Sequence, residues 1–310
     1  MSDPSESVRV EGVHLLRDRV ALQEALAELR ERGDSLALVP TMGYLHEGHL
    51  SLVDQAHGSA DTVLLTIFVN PLQFGEGEDL EHYPTDLEGD VRKARARGVT
   101  HIFAPPVSEM YPDGPPVIRV DPGPMGKRLC GISRPHHFPG VLTVVARLFA
   151  LIRPDVAVFG RKDYQQAVLI RQMVRDLALD VDVQVGPLVR EHDGLALSSR
   201  NVYLSPIQRE VAPRFQAELA RAASDFLGGM TEARHLVSGV RDRLERGGGM
   251  RVEYIEVVHP ETLLPMETAR VGAVLAGAVH IGSTRLIDNV LLGVRDEDPR
   301  LPPSDRSRRA

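Results

Sequence analysis

Cysteine is nearly missing from this sequence: Cys130 is the only one in 310 residues. No disulfide can therefore form within the chain, which suits a reducing compartment. Long hydrophobic runs are missing too. The most apolar stretch, residues 141–152, is interrupted by Arg147 and falls short of the ~20 apolar residues that cross a bilayer. Cations are in deficit, with Lys+Arg 36 against Asp+Glu 43 and a formal net charge of -7. That balance argues against nucleic acid as the main partner, while a local cluster of cations can still hold a small anionic substrate. The opening residues, Met-Ser-Asp-Pro-Ser-Glu-Ser, lack the basic segment and apolar run of a signal peptide. A cytoplasmic protein with no membrane or nucleic-acid partner is expected. Three chemical signatures are also lacking: a Gly-x-x-x-x-Gly-Lys-Ser/Thr phosphate loop, a Gly-x-Ser-x-Gly nucleophile elbow and a His-Glu-x-x-His zinc pair. Their absence argues against γ-phosphoryl transfer, serine hydrolysis and zinc peptidase chemistry.

What is present is globular: 43% hydrophobic and 25% charged residues, in a chain long enough for one large or two ordinary domains. Up to about residue 188, β-like runs alternate with helical stretches. Strands are expected at 36–40, 63–69, 101–104, 156–160 and 181–185. Helices are expected from 48 onward and over 86–97, 141–152 and 164–179. Such β-α-β repetition implies a parallel, doubly wound α/β sheet of Rossmann-like type. Beyond residue 188 the pattern changes to helices at 206–227 and 231–246, then strands at 252–259, 271–281 and 285–292. A smaller α+β domain over 189–294 should follow the 1–188 domain. The segment 295–310, rich in Pro and charge, should be a disordered tail.

The unusual polar clusters begin where expected strands end, which is where open α/β sheets bind ligands. The first is Pro40-Thr41-Met42-Gly43-Tyr44-Leu45-His46-Glu47-Gly48-His49. It places two imidazoles at a helix start, where N–H groups and the helix dipole attract phosphate. A zinc pair and plain capping histidines are the alternatives. The second runs through Asn70, Pro71 and Gln73, whose amide can both donate to and accept from a small polar substrate; an ordinary turn would look the same. Glu88 and Asp90 could offer oxygen to Mg²⁺. The third, Arg134-Pro135-His136-His137, could place a cation and an imidazole at the edge of a substrate pocket, or simply pack on the core. The fourth, Gly160-Arg161-Lys162-Asp163, offers a lysine to phosphate and an aspartate to ribose or to a helix cap, with Gln166 one turn later. The fifth, Leu197-Ser198-Ser199-Arg200, sets two hydroxyls beside a guanidinium.

In this order and combination, the motifs resemble the pantoate–β-alanine ligase family of the HIGH-type nucleotidyl transferases, from residue 36 through 201 and more weakly over 284–289. The resemblance implies a Rossmann-like domain with a small C-terminal lid, a homodimer, and use of ATP and Mg²⁺ to join pantoate to β-alanine. It implies ATP contacts at residues 42–49, at 160–163, at Val189 and at 197–200. His49 would be the acid-type catalyst, with His46, Lys162, Ser198, Ser199 and Arg200 beside it. Gln73 would bind both small substrates and Gln166 pantoate, with Arg134 and His137 at the pocket edge and Asp90 toward the metal. This chain departs from the family pattern at Thr85, Gly89, His136 and Arg161, which bears on the metal contacts and the pocket edge. Another HIGH-type adenylyltransferase, or a non-catalytic nucleotide-binding protein of the same fold, are the rival readings.

Overall fold

The computed structural model describes residues 8–10 and 12–294; the tail expected over 295–310 lies outside them. Two short strands, β1 (Val8–Val10) and β2 (Val13–Leu16), open the chain as an antiparallel pair. Helix α1 (Arg19–Arg32) follows, capped by Asp18, whose carboxylate accepts the Ala21 N–H at 2.8 Å. It buries Ala21, Leu22, Ala25, Leu26 and Leu29, one stripe at helical spacing. Next come β3 (Leu36–Thr41), α2 (Glu47–His57), β4 (Thr62–Ile67), α3 (Leu87–Ala96), β5 (His101–Phe103) and two four-residue helices, α4 (Val107–Met110) and α5 (Cys130–Ser133). Helix α6 (His137–Ile152), β6 (Val156–Gly160), α7 (Tyr164–Asp176) and β7 (Asp182–Gly186) complete the α/β pattern.

The sheet order is β1-β2-β5-β4-β3-β6-β7, with β2/β5, β5/β4, β4/β3 and β3/β6 all parallel. Strands β3, β4 and β5 are buried almost throughout, as a parallel sheet covered on both faces requires. The chain runs from β3 outward to β5, then returns to the other side of β3 as β6. The reversal at β3 and β6 is where a ligand crevice forms in such sheets. The doubly wound α/β architecture is therefore as expected from the sequence.

One buried histidine gives this sheet a pH dependence. His101 on β5 stacks on His14 of β2, ring centroids 4.8 Å apart. Burial, helped by the charges of His14 and Arg32, lowers its pKa from 6.5 to about 4. The unfolded chain therefore takes up this proton at higher pH than the folded one. The stabilisation is complete above about pH 6.5 and is lost as pH falls through 4, a loss on the order of 3 kcal/mol. Melting temperature followed from pH 7.5 to 4 should decline across that window, and His101→Asn should flatten this part of the decline. A mutant with an unchanged profile would exclude His101 as the source.

The chain divides into two compact units. The first takes residues up to 127, 131–159 and 169–186; the second takes 128–130, 160–168 and those from 187 on. In the second, α8 (Pro206–Val211), α9 (Pro213–Leu227) and α10 (Ala233–Arg246) precede β8 (Arg251–Val258), β9 (Val274–Ile281) and β10 (Thr284–Leu291), an antiparallel sheet of order β10-β9-β8. Phe215, Leu219, Ala222 and Phe226 of α9 and Leu236, Val240 and Leu244 of α10 pack with Ile255, Leu275, Val279 and Leu286. The single helix expected over 206–227 is in fact two. Pro213 has no N–H for a continuing helix, so α8 ends at Val211 and α9 begins at the proline. Among the described residues, no helix is long and apolar enough to cross a membrane.

Candidate active site

Strand β3 ends at Thr41, whose hydroxyl donates to the Thr66 carbonyl at 2.7 Å and accepts the Gly43 N–H at 3.1 Å. The chain then passes through two left-handed residues, Gly43 (φ 86) and Tyr44 (φ 52). A side chain at Gly43 would meet Asp90 Oδ2 and Ile67 Cγ2, each 2.9 Å from its Cβ, so the turn demands glycine. Tyr44 adopts a conformation costing about 1 kcal/mol and is held there from α3. Asp90 Oδ2 accepts the Tyr44 N–H at 2.7 Å and Oδ1 the Leu45 N–H at 2.6 Å. Lys93, one turn along α3, donates to the Leu45 carbonyl at 2.9 Å and lies over the Tyr44 ring.

Asp90, expected toward the metal, has a structural task in this geometry. Its carboxylate is 1% exposed and both oxygens are engaged by backbone N–H groups. Burial raises its pKa against the opposing N–H bonds from Leu45 and Tyr44 and the charge of Lys93. Each carboxylate oxygen keeps a second lone pair beside the one its N–H bond takes. Among the described residues, no group of three His, Cys, Asp or Glu could hold a metal ion. Asp90 is a clamp on the loop.

His46 is the N-cap of α2, in extended conformation, and its Nδ1 accepts the Gly48 N–H at 3.1 Å. His49 Nδ1 in turn accepts the His46 N–H at 3.4 Å, closing a reciprocal capping box. The rings lie 4.1 Å apart between centroids, tilted by 31°. Capping histidines, one alternative left open by the sequence, are thus literally present. A ring whose Nδ1 accepts from the backbone carries its proton on Nε2 when neutral. The cap therefore fixes the tautomer of both imidazoles and makes Nε2 the donor nitrogen of each. The zinc-pair alternative conflicts with this use of both Nδ1 atoms.

The end of the neighbouring strand β4 brings Gln73 to the same loop. Gln73 Nε2 lies 3.0 Å from Met42 Sδ, and its Oε1 accepts from Asn70 Nδ2 at 3.2 Å. Asn70 is 1% exposed; its amide also donates to the Gly140 carbonyl at 3.1 Å and its carbonyl accepts the Tyr111 hydroxyl at 2.9 Å. Burial pushes the Tyr111 phenol up to about 12, so it remains a donor. Arg134 makes two bonds to Glu78, Nε to Oε1 at 2.7 Å and Nη2 to Oε2 at 2.5 Å, and His137 Nδ1 lies 3.0 Å from the Gln73 carbonyl. Burial opposes ionisation of Glu78, yet the hydrogen bond and charge of Arg134 hold its carboxyl below the usual range. Arg134 and His137 thus embrace the backbone of the Gln73 turn. Sequence alone offers no hint of Tyr111 or Lys93 and no role for Gly140, which closes the Arg134–His137 cluster, since a tyrosine, a helical glycine and a surface-like lysine carry no signal of their own.

In the second unit, Gly160 leads into a 3-10 turn, Arg161–Asp163. Lys162 and Asp163 are half-buried, but Arg161 is 1% exposed. Of the ATP contacts that the resemblance implies at 160–163, Arg161 therefore has its backbone rather than its side chain to offer. Gln166 is half-buried on the first turn of α7, whereas its neighbour Gln165 is buried, accepting the Cys130 N–H at 3.1 Å and donating to the Arg128 carbonyl at 2.7 Å. Leu197 N–H bonds the Val189 carbonyl at 3.0 Å, and Ser198 caps the 3-10 turn Ser199–Tyr203 through the Arg200 N–H at 3.2 Å. Ser199 is buried; Ser198 and Arg200 are half-buried.

The family model of pantoate-beta-alanine ligase matches residues 14–291. The chain belongs to the pantoate–β-alanine ligase family. A pantothenate synthetase of Anaeromyxobacter dehalogenans is 50% identical over 283 residues, covering 89% of this chain and 97% of that protein. The structure of pantothenate synthetase from Thermus thermophilus superposes with a TM-score of 0.84 at 44% identity, over 90% of this chain and 99% of that one. Pantoate-beta-alanine ligase from Francisella tularensis, complexed with beta-gamma ATP and beta-alanine, gives a TM-score of 0.77 at 31% identity, over 91% and 98%.

Proposed function

We infer that this protein condenses pantoate with β-alanine at the expense of ATP, giving pantothenate, AMP and pyrophosphate through a pantoyl adenylate. One observation carries the reading. In a chain of this family, His46 and His49 are locked by their Nδ1 atoms onto a helix N-terminus, leaving Nε2 as the donor nitrogen on each ring. Two such donors at a helix start suit a phosphoryl group gaining charge.

In the first step a pantoate carboxylate oxygen attacks the α-phosphorus, the bond to the bridging β-phosphate oxygen breaks, and pyrophosphate leaves. In the second, the β-alanine amine attacks the acyl carbon, the bond to AMP breaks, and the amine gives up a proton. A carboxylate attacking a polyanion needs charge neutralisation and alignment more than covalent help. We assign His49 and His46 to the phosphoryl oxygens, Lys162 to the departing charge, and Ser198, Ser199 and Arg200 to the polyphosphate. Gln73 takes both small substrates, Gln166 takes pantoate, and Arg134 and His137 act through the Gln73 backbone.

Mg²⁺ belongs in this reading as a counter-ion of the ATP phosphates, with Asp90 the carboxylate proposed toward it. We also propose a homodimer in the cytoplasm. Val117 and Ile118, 100% and 85% exposed, are an apolar pair that a second copy would shield, and sedimentation at micromolar concentration tests the dimer. The reading itself is tested by product analysis. AMP, dependent on both pantoate and β-alanine, supports it. ADP would point to γ-phosphoryl transfer, AMP formed equally without pantoate to another nucleotidyl transferase, and no turnover of ATP to a binding protein.

A further inference from the structure

Strand β10 ends its central stretch with two polar residues where its neighbours Leu286, Val290 and Leu291 are apolar core. Asp288 is 3% and Asn289 2% exposed. Burying polar groups is unfavourable unless they are bonded; Asn289 Oδ1 has no partner among the described residues, but the other side-chain polar atoms of the pair are bonded to very particular places. Asn289 Nδ2 donates to the Arg161 carbonyl at 3.0 Å and to the Lys162 carbonyl at 3.2 Å. Asp288 takes Arg190 in a fork, Oδ2 from Nη1 at 2.6 Å and Oδ1 from Nη2 at 3.0 Å. The same Oδ1 accepts the Asn289 N–H at 2.7 Å. Arg190 also reaches the Gly194 carbonyl at 3.2 Å and the Asn289 carbonyl at 3.4 Å.

Arg190 pairs antiparallel with Ala196, in the short hairpin closed by Val189 and Leu197. That hairpin runs directly into Ser198, Ser199 and Arg200. A single point on β10 therefore fixes two segments far apart in sequence: the turn that aims Lys162 and the hairpin that delivers the Ser-Ser-Arg run. A buried ion pair brings little net stability over an apolar core of equal volume; what this one supplies is a fixed geometry. We propose that Asp288, Asn289 and Arg190 are positioning residues for adenylation, acting through the backbone to hold Lys162 and the 198–200 segment in register. The proposal rests on the functional reading above and extends it to residues that touch no substrate.

The test is pantoate-dependent exchange of labelled pyrophosphate into ATP, with kcat and the KM for ATP and pantoate resolved, in wild type, Asn289→Ala, Lys162→Ala and the double variant. Misplacing a reacting group by about 1 Å costs on the order of 10²-fold, so Asn289→Ala should lower exchange by about 10- to 100-fold. The KM for pantoate should stay within about twofold. In the Lys162→Ala background the same substitution should cost less than about twofold, because no ammonium is left to aim. Equal losses in both backgrounds, or full exchange in Asn289→Ala, would overturn the proposal. If Asn289→Ala does not fold, Asn289→Ser, which keeps one donor, is read in the same two backgrounds with the same criteria. Wild-type protein without any pantoate-dependent exchange would overturn the functional reading instead, which separates the two failures.

Discussion

His49→Ala should lose adenylation rate by a factor on the order of 10²–10³, the usual cost of removing one preorganised transition-state donor. The imidazole is held on its Nδ1 side by the His46 N–H and lies against the His46 ring, so its Nε2 donor is oriented before substrate arrives. Alanine removes that donor and also half of the capping box. The second loss is structural and small, about 1 kcal/mol, because His46 still caps α2 through the Gly48 N–H. The mutant should therefore fold, with a melting temperature a few degrees lower at most, while pyrophosphate exchange falls by two to three orders of magnitude. Exchange at the wild-type rate in a folded mutant would remove His49 from the mechanism.

Gly140→Ala should be the most damaging conservative change near the substrate turn. A Cβ there would sit 2.2 Å from the Leu72 carbonyl oxygen and 2.6 Å from the Gln73 nitrogen. Both obstacles are backbone, so no side-chain rotation relieves them. Either α6 moves out or the Pro71–Gln73 turn moves, and the second choice also breaks the Asn70 bond to the Gly140 carbonyl. Overpacking of this kind costs about 2–4 kcal/mol, and the displacement falls on Gln73. Melting temperature should drop and the KM for pantoate and β-alanine should rise at least about tenfold, with that for ATP little changed. Gly75→Ala is the control, since its Cβ would meet nothing nearer than 3.7 Å. Wild-type stability and KM values in Gly140→Ala would show that the close approach is not functionally important.

These effects also mark what the sequence could and could not disclose. The strands β3, β4, β6 and β7 were legible because apolar runs bounded by turn residues have few other uses. The opening hairpin was not, since Val8–Val10 and Val13–Leu16 are too short to carry a period. Helix α1 had its signals in plain view, an aspartate cap and a stripe from Ala21 to Leu29, yet it lay before the first recognisable motif. The break at Pro213 was a misreading of local composition over backbone chemistry.

At the site, the His-x-Gly-His and Gly-Arg-Lys-Asp segments were visible as motifs because their unusual residues sit together. The supporting partners were not. An aspartate that clamps two backbone N–H groups looks like any other in sequence, and only α3 lying beside Tyr44 reveals the clamp at Asp90. Asn289 and Lys162 are linked through a backbone carbonyl, a bond in which neither side-chain pairing nor spacing leaves a trace.

The central claim, that ATP activates pantoate before β-alanine takes part, is tested most directly by pyrophosphate exchange with the second substrate withheld. With pantoate, ATP and Mg²⁺ present and β-alanine absent, labelled pyrophosphate should enter ATP in the wild-type protein. Exchange should stop when pantoate is omitted and should be strongly suppressed in Lys162→Ala, whose ammonium is assigned to the departing pyrophosphate. An enzyme that turns over with β-alanine yet shows no exchange without it, or one that yields ADP, would contradict an acyl-adenylate mechanism.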